Sequence, residues 1–215
     1  MFVWQPRRTP LDGARRRITH LLDVAAGRLT RAYGHEFHVR CRATDVAVVC
    51  TLGSDSETPT SNSWLGSSAA GAACIGAIEG PPRADAPGPD ARTEPPRLEA
   101  LRDTLLGPHT SRVAIEALRD ALALPGRWSL AVWRPGEVVA VNGASTGRSL
   151  WWTEGSDGWA VGTQPRTLLE LVDRPKRLDL DSATLMVAFG YVAGWNGLYE
   201  GIHRLGPASA SRCAP

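Results

Sequence analysis

The chain has 215 residues, 43% apolar and 21% charged, an ordinary globular composition that excludes a disordered or collagen-like polypeptide. At roughly 150 residues per domain it holds one large domain or one and a half. Its 24 Lys and Arg against 22 Asp and Glu leave a formal charge of +2, too small to make nucleic acid or an anionic membrane the expected partner.

Charge is placed unevenly, with nine Arg in residues 1–42 against Asp12, Asp23 and Glu36, and with Lys176 the only lysine. GC-rich coding explains that bias as readily as chemistry does. The start MFVWQPRR lacks a signal peptide's apolar h-region, and no apolar run approaches the ~20 residues of a membrane span, so a soluble, cytoplasmic chain is expected. Cys41, Cys50, Cys74 and Cys213 show no CxxC spacing, and neither a zinc site nor a disulfide framework can be read from them. Three of them sit in apolar stretches, and for these the expected state is small buried residues in a reducing compartment.

After Pro10 a helix is expected, with Asp12 as its cap and Ile18, Leu21, Leu22, Ala25, Leu29 and Ala32 at helical spacing up to Gly34. Arg15, Arg16 and Arg17 are consecutive and point in different directions on such a helix, so they make a solvated face and no flat anion patch. Glu36–Arg42 alternates as a half-exposed strand, and Asp45–Leu52 reads as a buried one, together a hairpin. His35 and His38 fall on opposite faces of such a strand and lack the HExxH arrangement, which argues against a metal site. Short strands are expected around Trp64 and over Ala73–Ile78, and the six prolines of 80–97 mark a loop or linker.

Two helices are expected over Leu98–Leu106 and Ser111–Leu124, the second with Ile115, Leu118 and Leu122 on one face. The period then changes to two: Trp128–Trp133, Val138–Val141, Leu150–Thr153 and Trp159–Gly162, separated by turns, predict an antiparallel meander. Pro165 opens a helix with Leu168, Leu169 and Val172, and Asp181 can cap another through Leu185 and Phe189. Five of the eight Trp lie between 128 and 159; Trp128 and Trp159 are expected to fill core space between packed layers.

The stretch 124–171 resembles the later half of the glutaminase domain of the asparagine synthetase family. Gly147-Arg148-Ser149-Leu150-Trp151-Trp152 stands where that family has Gly-x-x-Pro-Leu-Tyr-Tyr, and Ala160-Val161-Gly162-Thr163-Gln164-Pro165 stands at its alanine-serine-glutamate segment. Residues 178–210 are similar to the family's exit from this half: a helix, a Gly-rich turn, a Gly-Ile strand and a Leu-x-Pro step. β-Lactam synthetases and lasso-peptide cyclases share the plan. The resemblance implies an α+β fold, a four-layer α/β/β/α sandwich of antiparallel sheets of the N-terminal-nucleophile amidotransferase type. One domain over 1–210 is expected, followed by a polar tail, 211–215, that fits a truncated or frame-shifted end as well as an evolved terminus.

Active members begin Met-Cys-Gly and use the N-terminal Cys as nucleophile with its own α-amine as base. This chain begins Met1-Phe2-Val3-Trp4, and the proline-rich interval replaces the family's glutamine-holding segments. Asn142-Gly143 falls at the family's Arg-Asp position and does not stand in for them. No catalytic, cofactor-binding or metal residue is therefore expected. The Ser-Gly-Gly-x-Asp-Ser loop of the ATP-pyrophosphatase half is also absent, so ATP and Mg would belong to a separate synthetase half. The resemblance thus implies a pseudoenzyme, inactive alone, that docks onto an ATP-pyrophosphatase-type synthetase domain or protein; a homodimer is the other association open to it. Two alternatives stand beside it. One is a stand-alone binding module on the same fold; the other is a hydrolase made by self-cleavage after Ala73, exposing Cys74 as a new N-terminal nucleophile.

Overall fold

The computed structural model describes residues 2–6, 10–34, 36–44, 47–54, 62–66, 70–78, 102–106, 111–124, 126–144, 149–172, 174–192 and 194–213. The 80–97 segment lies outside the described residues. In chain order the elements are β1 (Phe2–Pro6), α1 (Leu11–Tyr33), β2 (Phe37–Ala43), β3 (Val48–Ser54), β4 (Asn62–Gly66) and β5 (Gly71–Ile78). A helical stretch over 102–106 and α2 (Ser111–Leu122) precede β6 (Gly126–Arg134), β7 (Glu137–Asn142), β8 (Leu150–Gly155) and β9 (Gly158–Gly162). The chain closes with α3 (Pro165–Leu171), α4 (Leu180–Phe189), β10 (Ile202–Leu205) and β11 (Ser209–Cys213).

The strands form two antiparallel sheets within a mixed α and β fold. The first has the order β10-β8-β9-β1-β3-β2 and the second β11-β7-β6-β5-β4. Residues 126–162 are not one meander, as the alternation suggested, but two hairpins in different sheets. β6 and β7 pair in the second sheet, whereas β8 and β9 pair in the first. The physical reason is edge occupancy: β7 is already flanked by β6 and β11, so β8 finds its partners, β9 and β10, in the other sheet.

Pleat alternation explains how the layers are glued. Val3, Val49 and Val161 from the first sheet meet Ala73, Ala131, Trp133, Val138 and Ala140 from the second in one buried cluster. On the other face of the first sheet, Phe2, Trp4, Val48, Cys50 and Ala160 pack with Ala14, Ile18 and Leu22 of α1 and with Leu168 and Leu169 of α3. On the far face of the second sheet, Ala72, Cys74, Leu130, Val132 and Val141 pack with Leu105, Leu106 and Ala121. Trp128 and Trp159 are 1% and 2% exposed, filling core space as expected.

β1 was not foreseen, yet it lies in the middle of its sheet, paired with β3 on one side and β9 on the other. Its period-two division is complete within five residues: Phe2 and Trp4 face the helices while Val3 faces the second sheet. Gln5 then bridges the layers, its Nε2 donating to the Arg134 carbonyl at 2.8 Å.

The helix signals were right in place and wrong in two details. Gly34 ends α1 in the left-handed region, φ 76°, as a residue without Cβ can. The N-cap, however, is Pro10, which supplies no side-chain acceptor, and Asp12 sits inside the first turn. Likewise Asp179 caps α4, accepting the Ser182 N–H at 2.8 Å, where Asp181 was expected to do so. The cap must precede the first helical residue so that its oxygen reaches back to N–H groups two and three positions on.

The cysteine expectation is overturned for two of the four. Cys41 and Cys50 stand directly opposite in the β2–β3 register, 4.2 Å apart at Cα, and form a disulfide. Cys74 keeps its thiol and is buried, as expected. No helix among the described residues is long and apolar enough to cross a membrane.

Candidate functional site

Three places bear on chemistry: the start of β1, the neighbourhood of Cys74, and the surface between α1 and the segment after α3. At the first, the position where the resemblance calls for a nucleophile, Phe2 is 1% exposed and Val3 0%. Both are apolar and both belong to core clusters, so neither side chain can attack a carbonyl.

Cys74 faces the helix side of the second sheet, among Ala72, Leu105, Leu106 and Ala121. Burial pushes its thiol up to about 12, and a thiol rather than a thiolate is a poor nucleophile at neutral pH. The Ala73–Cys74 peptide lies mid-strand, with β5 paired to β4 on one side and β6 on the other. Cys41 and Cys50 are consumed by their disulfide.

Asn142 is 1% exposed. Its Nδ2 donates to the Leu205 and Gly206 carbonyls at 2.9 and 3.2 Å, and its Oδ1 accepts from Ser129 Oγ at 2.6 Å. The amide thereby fastens the β6–β7 hairpin to the corner where the chain passes from β10 to β11, and its capacity is spent on the protein itself.

Of the stretch 147–152, Gly147 and Arg148 lie outside the described residues. Trp151 packs toward the helices and Trp152 toward the sheet interface, as neighbours on a strand must. Trp152 stacks on His203 across β8 and β10, ring centroids 4.5 Å apart. Partial burial, assisted by the nearby Arg174 charge, holds the His203 imidazole below its usual value. Gln164 caps α3 without a side-chain hydrogen bond and Pro165 takes the first turn.

The third place is a surface cleft of about 460 Å³ lined by Arg17, Leu21, Leu169, Glu170, Arg174 and Lys176. Its cations are already engaged. Arg17 donates to the Glu170 carbonyl and lies 6.0 Å from the Trp4 ring centroid, Lys176 pairs with the Glu170 carboxylate, and Arg174 donates to the Glu154 carbonyl at 2.6 Å. Arg15 and Arg16 stay exposed on α1 while Arg17 is half-buried, the divergence expected of consecutive helical positions.

Among the described residues no group of three His, Cys, Asp or Glu stands close enough to hold a metal ion. His35 lies outside the described residues, and so does 79–101, most of the interval of about 75 to 105 expected to replace the glutamine-holding segments. Two features escaped sequence reasoning. The disulfide had a signal, since pairing of the two expected strands can set position 41 opposite position 50. The other is the surface of α4 and its neighbours: of the eight large apolar side chains exposed among the described residues, seven fall between 178 and 195.

No family model matches the chain, and no curated protein matches it.

Proposed function

We propose that the chain is a catalytically silent, glutaminase-like half of an ATP-dependent amide-forming enzyme. It is a four-layer α/β/β/α sandwich of the N-terminal-nucleophile amidotransferase type, serving as a structural or docking domain for an ATP-pyrophosphatase-type synthetase partner. ATP and Mg would be bound by that partner. One observation carries the silence: the strand that should present a nucleophile instead buries Phe2 and Val3 on both faces of a central position. The helices packed outside each sheet, with a shared apolar cluster between the sheets, support the fold.

Incubation of the purified chain with glutamine is the test, and release of glutamate no faster than a protein-free blank is the expected result. Measured turnover overturns the reading. The reading carries a cytoplasmic location, against which the Cys41–Cys50 bond stands, because structural disulfides persist mainly in oxidising compartments.

A stand-alone binding module on the same fold is the second reading, favoured by the exposed apolar surface after residue 178. A stable complex with an ATP-pyrophosphatase domain supports the first reading, and recovery with an unrelated ligand supports the second. The Cys74 hydrolase is the least supported, since its cleavage site lies inside a doubly paired strand.

A further inference from the structure

The cleft between α1 and the segment after α3 carries more positive charge than its own carboxylate offsets. α1 brings Arg17 and Leu21 to it, α3 brings Leu169 and Glu170, and the segment after α3 brings Arg174 and Lys176. Three cations thus line it with one carboxylate, a formal excess of two positive charges among the lining residues.

The bonds that engage these cations orient them without cancelling that excess. Arg17 donates to the Glu170 main-chain carbonyl, and Arg174 Nη1 donates to the Glu154 carbonyl at 2.6 Å. A neutral carbonyl fixes the direction of a guanidinium and leaves its charge in place. Lys176 meets the Glu170 carboxylate, which Arg166 also approaches, its Nε 3.9 Å from Oε1. That one negative charge is therefore shared between two cations.

Arg174 is held from a second direction. Its main-chain N–H donates to the Leu169 carbonyl at 2.9 Å, and its guanidinium lies so close over Gly201 that a Cβ there would collide with it. Gly201 has φ 69°, so the missing side chain serves the turn and makes the room for the guanidinium. A cation ordered in advance binds an anion at less entropic cost.

The other wall narrows the choice of anion. Leu169 is 0% exposed and Leu21 is half-buried against the same core cluster, so a fixed apolar surface stands beside the cations. The cleft's volume of about 460 Å³ falls within the ~300–1,000 Å³ of small-molecule sites. A carboxylate brings one negative charge, whereas a phosphate monoester brings about −1.5 to −2 at neutral pH with three acceptor oxygens. The phosphate matches the excess of two and the forked donors of arginine.

We propose that this cleft binds a small organic phosphate, a monoester whose oxygens meet Arg17, Arg174 and Lys176 and whose apolar substituent lies on Leu21 and Leu169. The proposal goes beyond the pseudoenzyme reading and does not depend on it, because neither glutamine nor ATP chemistry enters it. The test is titration calorimetry of the full chain at constant chloride across the millimolar range, with n-butyl phosphate as the probe and inorganic phosphate beside it. Butyl phosphate is expected to bind saturably and about tenfold more tightly than inorganic phosphate, as burial of about two CH₂ groups gives. Arg174→Gln is expected to weaken it by about tenfold, the effect of a lost hydrogen bond to a charged group. Glu170→Gln is expected to tighten it about threefold, because the one carboxylate of the lining is removed. Circular dichroism checks each fold, and Glu170→Gln with the two probes decides the matter where Arg174→Gln does not fold. Absence of saturable binding overturns the proposal, and so does an affinity unchanged in a folded Arg174→Gln. Weaker binding in a folded Glu170→Gln overturns it as well, leaving these charges only the task of tying α1 to α3. Inorganic phosphate binding as tightly as butyl phosphate also overturns it and leaves a general anion contact.

Discussion

The space between the two sheets and the segment 178–195 are built from the same kinds of residue and have opposite fates. Val3, Trp133, Leu150 and Val161 are 0% exposed, whereas Leu180, Val187 and Trp195 are 76%, 89% and 62% exposed. Side-chain hydrophobicity does not separate these sets. What does is the number of surfaces that close over each: a strand between two others, in a sheet covered on both faces, leaves its residues no water, while α4 has the protein on one narrow side. Apolar composition states how much surface a residue would gain by burial; the arrangement of layers states whether that gain is taken within one chain.

Matched truncations sharpen this contrast. Trp133→Ala is expected to cost ~3–5 kcal/mol in urea unfolding, the range for a large aromatic removed from a packed core. Val187→Ala is expected to stay within ~0.5 kcal/mol when unfolding is followed in a monomeric background, because nothing in the chain packs over it. Equal losses at the two positions would break the comparison.

The Cys41–Cys50 bond supplies an intermediate case, where covalent closure reinforces burial at the edge of the first sheet. With a sequence separation of 9, its removal by Cys41→Ser with Cys50→Ser is expected to cost about 2–3 kcal/mol, chiefly by freeing the unfolded chain. Wild type treated with reductant should show the same loss, and unchanged unfolding after reduction would exclude the bond from the stabilising set. Alkylation of free thiols at the moment of lysis also reports the compartment in which the chain folds.

The smallest expected effect lies at the start of α4. The Ser182 N–H holds the Asp179 carboxyl below the usual carboxylate range. A lowered folded-state value gives stability that is fully present above about 3.9, the ordinary Asp value, and lost as pH falls through the lowered value. Protection of the Ser182 amide, its exchange rate taken relative to the intrinsic rate at the same pH, should therefore fall on acidification in the wild type. In Asp179→Ala that protection should be low at every pH, with no acid transition.

Local signals were legible where they depend on neighbours in sequence. The period-two runs at Trp128–Trp133 and Trp159–Gly162 are strands because alternation sorts side chains between two faces, and Gly34 ends its helix because a left-handed residue is cheapest without Cβ. Of the places that bear on chemistry, the apolar character of Phe2 and Val3 was legible in the residues themselves, whereas their burial on two faces was not. By contrast, Phe2–Pro6 is too short for a periodic signal, and its central place depends on β3 and β9, strands far away in the chain. The division of 126–162 between two sheets is equally remote from local pattern, since both hairpins have the same alternation.

By itself the sequence determined most of the elements, from the long helix that Gly34 ends to the alternating strands of 128–162. Tertiary structure decided which sheet each hairpin joins, that Asn142 is spent on the Leu205 and Gly206 carbonyls, and that seven large apolar side chains of 178–195 remain in water. The reason is range. Backbone sterics and alternation act over a few residues, whereas burial is a property of whatever distant surfaces the folded chain brings, or fails to bring, against each side chain.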